Sequence, residues 1–206
     1  MSSIDTEHVG VSLFGFSDGS LVSCAVFHDA SDGSSFGRLM CYELWSSFHT
    51  MYHHDLQDAK VNSPDLFTEF NGKIAQVIRN TTKPIMDALS EVRGITLVLL
   101  NTTDSVTHIV PSATTGGGGE VDKLAVLAHH QALMGAAQDI MSANNDTPKT
   151  LTLKGKKSTT KAIRIERSTL VVVYKNNVDA EICNKEIDKA EDLIRKVLVM
   201  ASNLKT

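Results

Sequence analysis

The chain has 206 residues, long enough for one large domain or two small ones with a packed core. Apolar residues make up 42% and charged residues 21%, an ordinary globular balance, and no run approaches the roughly 18 apolar residues of a membrane span. The formal net charge of −4 argues against general nucleic-acid binding, which needs a basic surface to displace counterions, but a local basic patch survives that argument.

The N-terminal run MSSIDTEHVG has no basic stretch followed by an apolar one, so no export signal is predicted. Without one, the glycosylation patterns at Asn80-Thr81-Thr82 and Asn101-Thr102-Thr103 read as chance. Cys24, Cys41 and Cys183 are far apart and form no CxxC pair, so they are expected as free thiols in a reducing compartment. Together these predict a protein of the cytosol or nucleus, with the cytoplasm the expected location.

Residues 9–28, VGVSLFGFSDGSLVSCAVFH, alternate like two strands around Ser17-Asp18-Gly19-Ser20, where Asp-Gly supplies the positive φ of a tight turn. After a small polar loop, Leu39, Tyr42, Trp45, Phe48, Met51 and Tyr52 recur at helical spacing. The stretch from Pro64 to Val92 fits two patterns. Phe67, Phe70, Ile74, Val77 or Ile78, Ile85, Leu89 and Val92 make a helical stripe, whereas LFTEF-NG-KIAQVIRN makes a hairpin turning at Asn71-Gly72. The hairpin is preferred, followed by a helix over Lys83–Val92 with Pro84 in its first turn.

Beyond Gly94, ITLVLLNTTDSVTHIVP reads as a hairpin, TTGGGGE as a flexible link and VDKLAVLAHHQALMGAAQDIMSAN as a helix. LTLKGKKSTTKAIRIERSTLVVVYKN reads as three strands, with a basic turn between the first two. NKEIDKAEDLIRKVLVMASNLK closes the chain as a helix with one apolar stripe, Ile187, Ala190, Ile194, Val197, Ala201 and Leu204. The middle helix is apolar almost all round, so it requires cover on two sides: the sheet on one, another domain or a second subunit on the other. An offset of roughly 85 residues separates two similar runs of hairpins and helices. The alternatives are two tandem copies, the first degenerate, or one domain with an N-terminal elaboration.

Nothing assembles into a catalytic site. Lys154-Gly155-Lys156-Lys157-Ser158-Thr159 is similar to the end of a phosphate-binding P-loop, but Thr150 stands where the first glycine is needed and the segment joins strand to strand. Gly116–Gly119 lacks GxGxxG spacing and reads as a linker. His49 and His53 lie one turn apart, with His54 and Asp55 beside them, yet Thr50 replaces the glutamate of HExxH, and a solvated helix end is the simpler reading. No GxSxG motif or paired acid and base is present. The lysines of the basic turn lack the interleaved aromatics of a single-strand nucleic-acid platform. No enzyme, cofactor or metal is expected.

The order helix, two strands, helix, three strands, helix over residues 83–205 resembles the roadblock family: dynein roadblock light chains, the MglB proteins and the roadblock subunits of Ragulator. ALSEVRGITLVLLNTTDSVTHIVPS carries the resemblance first, as a short helix, a glycine and a hairpin with a polar turn. LTLKGKKSTTKAIRIERSTLVVVYKN carries it again, as a strand, a basic turn, a second strand and a very apolar strand ending in Asn. The closing helix is longer than in dynein light chains and looks more like MglB or Ragulator subunits. The resemblance implies an α+β (α/β) roadblock/longin-like fold, an antiparallel five-stranded sheet flanked by helices. Residues 1–80 would be a hairpin-helix-hairpin segment, a degenerate half, and residues 81–206 the roadblock-like domain.

It further implies a non-catalytic dimer, self-paired or with another roadblock subunit, in which middle helices pack antiparallel and third strands join into one sheet. Carried onto this chain, the interface residues are Leu127, His130, Leu133, Met134, Ala137 and Met141 on the helix, with Leu151, Leu153 and Lys154 on the strand. The basic turn, Lys156, Lys157 and Lys161, is then either a charged edge that deters stray strand pairing or a docking point for an acidic segment. The expected function is an adaptor or scaffold for a small GTPase or a dynein intermediate-chain segment, with no nucleic acid and no direct membrane insertion. The alternative is a longin- or profilin-like module in vesicle traffic or actin binding.

Overall fold

The computed structural model of the chain describes residues 2–5, 9–15, 23–30, 34–57, 67–102, 106–109, 123–143 and 145–204; for 2–15, 57, 106–109 and 123–127 it describes backbone alone. The chain divides into two compact units, Met1–Thr82 with Lys196–Thr206, and Lys83–Arg195.

The first unit opens with strands β1 (Ser2–Asp5), β2 (Val9–Gly15) and β3 (Ser23–Asp29), antiparallel in the order β1-β2-β3. The expected hairpin is β2-β3, in register from Val9↔Asp29 to Gly15↔Ser23; its turn residues, Ser17–Ser20, lie outside the described residues. β1 was not legible as a strand. Side chains alternate along β3: Cys24, Val26 and His28 are covered, whereas Ala25, Phe27 and Asp29 are exposed. Helix α1 (Ser34–Gln57) covers the Cys24 side, where the Cys41 Sγ donates to the Cys24 carbonyl at 3.2 Å. Burial, with Cys41 beside it, pushes the Cys24 thiol up to about 12, so it stays protonated at neutral pH. The buried face of α1 is Phe36, Met40, Cys41, Trp45 and Tyr52, rotated from the expected stripe: Tyr42 is exposed.

One expectation is overturned. Residues 67–80 form no hairpin; they are helix α2 (Thr68–Asn80). The first segment is therefore sheet, helix, helix rather than hairpin, helix, hairpin. The reason is aromatic packing at helical period. Phe67 and Phe70 each lie 5.2 Å from the Phe48 ring of α1, and Phe67 stands edge-on to Tyr52 at 5.0 Å. Val77 and Ile78 continue the same face into the interior. Glu69–Lys73 adds an i,i+4 pair at 2.7 Å. Against these, a mid-helix glycine costs only about 1 kcal/mol, and Gly72 faces open space. Helix α3 (Thr82–Ser90) follows directly, with Pro84 in its first turn as expected. The hydroxyls of Thr81 and Thr82 donate to the carbonyls of Ile78 and Arg79 and so satisfy the end of α2.

In the second unit a mixed α/β arrangement surrounds an antiparallel sheet, as the resemblance implies. Its strands are β4 (Ile95–Asn101), β5 (Val106–Ile109), β6 (Thr150–Lys154), β7 (Ser158–Ile165) and β8 (Ser168–Lys175), in the order β5-β4-β8-β7-β6. The central strands β4 and β8 are buried on both faces, which explains their continuous apolar runs. Leu99, Ala162 and Val171 form the core of one face, with Leu151 packed against them. Leu100, Val98, Ile163, Leu170 and Val172 fill the other. Helix α4 (Lys123–Ser142) and the part of α5 (Ala180–Asn203) up to Arg195 touch residues on opposite faces. Arg164, facing α4, donates to Gln138 at 2.8 Å, whereas Lys161, facing α5, meets Asp188 at 2.8 Å.

Helix α5 begins four residues earlier than its apolar pattern predicts, because Asp179 caps it: its Oδ1 accepts the amides of Glu181 and Ile182 at 2.9 and 3.3 Å. Its stripe runs Cys183, Ile187, Ala190, Ile194, Val197 and Ala201, all buried, while Leu204 is exposed. Gly94 joins α3 to β4 at φ +96°, with the methyls of Val178 against the space a Cβ would occupy.

Candidate partner interface

Helix α4 presents two apolar faces. His130 and Met134 are buried in their own unit, with Ala137 and Met141 half-buried beside them. Around the helix from these, Leu133 is 42% exposed and Ile140 74% exposed, with the exposed Ala136 between them. At 100° per residue Leu133, Ala136 and Ile140 make one stripe. This sorts the six helix positions expected at the interface. Leu133 faces outward, His130 and Met134 face inward toward the sheet, and the Leu127 side chain lies outside the described residues. Ala136 and Ile140 were missed, although their i+3 and i+7 spacing from Leu133 is the signal that finds them. A buried His130 is explained by the short turn between it and Met134: both stand over the apolar sheet face, and the helix cannot turn one inward without the other.

Strand β6 forms one edge of the sheet and, among the described residues, pairs with β7 alone, from Thr150↔Ile163 to Lys154↔Thr159. Leu151 is half-buried against the core, Leu153 is 36% exposed, and Lys154 is exposed. Among the described residues no strand covers its outer backbone edge.

The basic turn is held by a set of hydrogen bonds. The Gly155 amide donates to the Ser158 carbonyl at 2.9 Å. Asn176, just past β8, clamps it from the side. Its amide nitrogen Nδ2 donates to the Gly155 carbonyl at 2.7 Å, its Oδ1 accepts from Thr159 Oγ1 at 2.7 Å, and its backbone amide donates to the Lys157 carbonyl at 3.0 Å. Lys154, Lys156, Lys157 and Lys175 are exposed around this clamp. Lys161 is not part of the turn: it lies in mid-β7 opposite Thr152, and its charge is matched by Asp188. The turn joins strand to strand, so no helix start stands there to receive a phosphate.

The other singled-out residues do not converge. His49 stacks on Trp45 at 4.7 Å, and the His49 and His53 rings are 6.1 Å apart. Among the described residues no three His, Cys, Asp or Glu side chains are placed to hold a metal ion. Gly116–Gly119 lies outside the described residues. No helix among the described residues is long and apolar enough to cross a membrane.

No family model and no curated protein matches the sequence. Solved structures do. MglB from Myxococcus xanthus superposes with a TM-score of 0.51 at 15% identity, covering 60% of this chain and 91% of that one. An MglB in a tetrameric arrangement matches with a TM-score of 0.51 at 14% identity, covering 60% and 92%. The gliding protein MglB from Thermus thermophilus gives 0.50 at 13%, again over 60% and 92%. Likeness at such identities is likeness of fold: over 60% of its length this chain carries the roadblock fold seen in the MglB proteins.

Proposed function

We propose that the chain is a non-catalytic adaptor of the roadblock type, which pairs with a second roadblock subunit, its own copy or another, through α4 and β6. The observation that carries this is the outward apolar face of α4, Leu133, Ala136 and Ile140, in the same unit as the open β6 edge. Apolar side chains this exposed on one helix face are what a partner surface supplies before it is covered. That one similar structure is an MglB in a tetrameric arrangement supports assembly as the mode of action. Residues 81–206 would be the pairing domain and residues 1–80 its accessory half, acting in the cytoplasm.

The assembled surface would hold a small GTPase or a dynein intermediate-chain segment, with Lys156 and Lys157 on their clamped turn meeting its acidic groups. Fixing the turn in advance lowers the ordering cost of such a contact. Purified full chain, passed over immobilised small GTPases and over intermediate-chain segments, should be retained by one class. Changing both lysines to Glu should weaken that retention. A folded monomer retained by neither class would replace this reading with the longin- or profilin-like one.

A further inference from the structure

A cleft of about 450 Å³ lies between α4 and the β7–β8 turn, away from the outward face of α4. Gln131 and Gly135 border it from the helix, Arg164, Ser168 and Thr169 from the strands, and Arg167 from the turn between them. We propose that this cleft binds a small oxyanion, a phosphate- or carboxylate-bearing molecule, between Arg164 and Arg167.

Charge is the first argument. Arg164 has one polar partner, the neutral Gln138 at 2.8 Å, and no carboxylate within ion-pair distance among the described residues. Arg167 is exposed and, among the described residues, makes neither an ion pair nor a hydrogen bond. Arg195 of the same unit, by contrast, is matched by Glu191 at 2.6 Å. Two guanidinium groups without a carboxylate partner thus border one cleft, and each is a planar donor suited to a bidentate oxyanion.

Geometry is the second. Glu166 is the one carboxylate among the residues that line the cleft, and it sits in the two-residue turn at φ +53°, a left-handed conformation costly for a side chain. Its carboxylate lies 3.9 Å from Arg195 of α5, on the sheet face opposite α4. The strained residue thus aims its negative charge toward α5, leaving Arg164 on the α4 side. The amide of Gln131 and the hydroxyl of Thr169, which stands opposite Arg164 in the sheet, add neutral donors, and the volume falls in the range of small-molecule sites.

Titration of the full chain with pyrophosphate and, separately, with citrate, followed by calorimetry, tests this. Saturable binding of at least one probe is expected, and which one binds identifies the source of the anion. Arg164→Gln with Arg167→Gln should abolish it. Arg167→Gln alone, at an exposed turn position that cannot harm the fold, should weaken it about tenfold, the loss of one charge-assisted bond. Lys156→Gln with Lys157→Gln should leave it unchanged. Absence of saturable binding by either probe, binding of unchanged affinity in Arg167→Gln, or binding lost with the two lysines instead would each overturn the assignment.

Discussion

Two stretches of the molecule share one order of elements. β1-β2-β3-α1 and β6-β7-β8-α5 are each three antiparallel strands in sequence order, followed by a helix of 24 residues. Their surroundings differ. β8 is paired on both sides, by β7 and β4, and five of its eight residues are buried. β3 pairs with β2 alone among the described residues, and Phe27 at its centre is 72% exposed. The helices differ likewise. α5 buries one regular stripe, whereas α1 buries Phe36, Met40, Cys41 and Trp45 and leaves Tyr42 outside. The lesson is that a three-strand and helix unit closes one sheet face only. The second copy of the pattern gains a two-sided core because β4 and β5 extend its sheet and α4 covers the other face.

Several substitutions would break or sharpen this contrast. The largest effect is expected at the joint that fixes the start of α5. Gly94→Ala would drive a Cβ to 2.7 Å from a Val178 methyl at φ +96°, and should cost about 3 kcal/mol in denaturant unfolding, from overpacking and left-handed strain together. Leu170→Ala in β8 should also cost about 3 kcal/mol, the upper-middle range for a fully buried leucine, whereas Phe27→Ala in β3 should stay within about 0.5 kcal/mol. Equal costs at Leu170 and Phe27 would mean that β3 is covered after all, and would remove the contrast. Asp179→Ala should lose about 1 kcal/mol by uncapping α5. The smallest effect is expected at Ile140→Ala, within about 0.5 kcal/mol of monomer stability despite the loss of a large apolar side chain, because that side chain is exposed.

Legibility followed the number of covered faces. β4 and β8 were plain in the sequence because burial on both sides demands unbroken apolar runs. The α5 stripe was plain because a single buried face imposes one period. Its start was not, since Asp179 acts through a side-chain bond rather than through periodicity. Residues 67–80 were misread because Asn-Gly is a strong local turn signal, and the aromatic contacts with Phe48 that override it come from a helix some twenty residues earlier in the chain. α4 was recognised as apolar on two sides, but composition gives no phase. Only the fold shows that His130 and Met134 turn inward and Leu133 and Ile140 outward. The Asn176 clamp and the Arg164–Arg167 cleft join residues through tertiary geometry, which spacing along the chain does not carry.

The pairing of subunits through α4 is the claim on which the rest depends, and solution mass tests it most directly. Light scattering on the full chain, across a range of concentrations, should give a dimer. Leu133→Asp with Ile140→Asp should give a monomer with unchanged circular dichroism, since both positions are exposed and their aspartates remain solvated in the separated chain. A wild-type monomer at the highest concentration, or a dimer indifferent to both aspartates, would contradict the account.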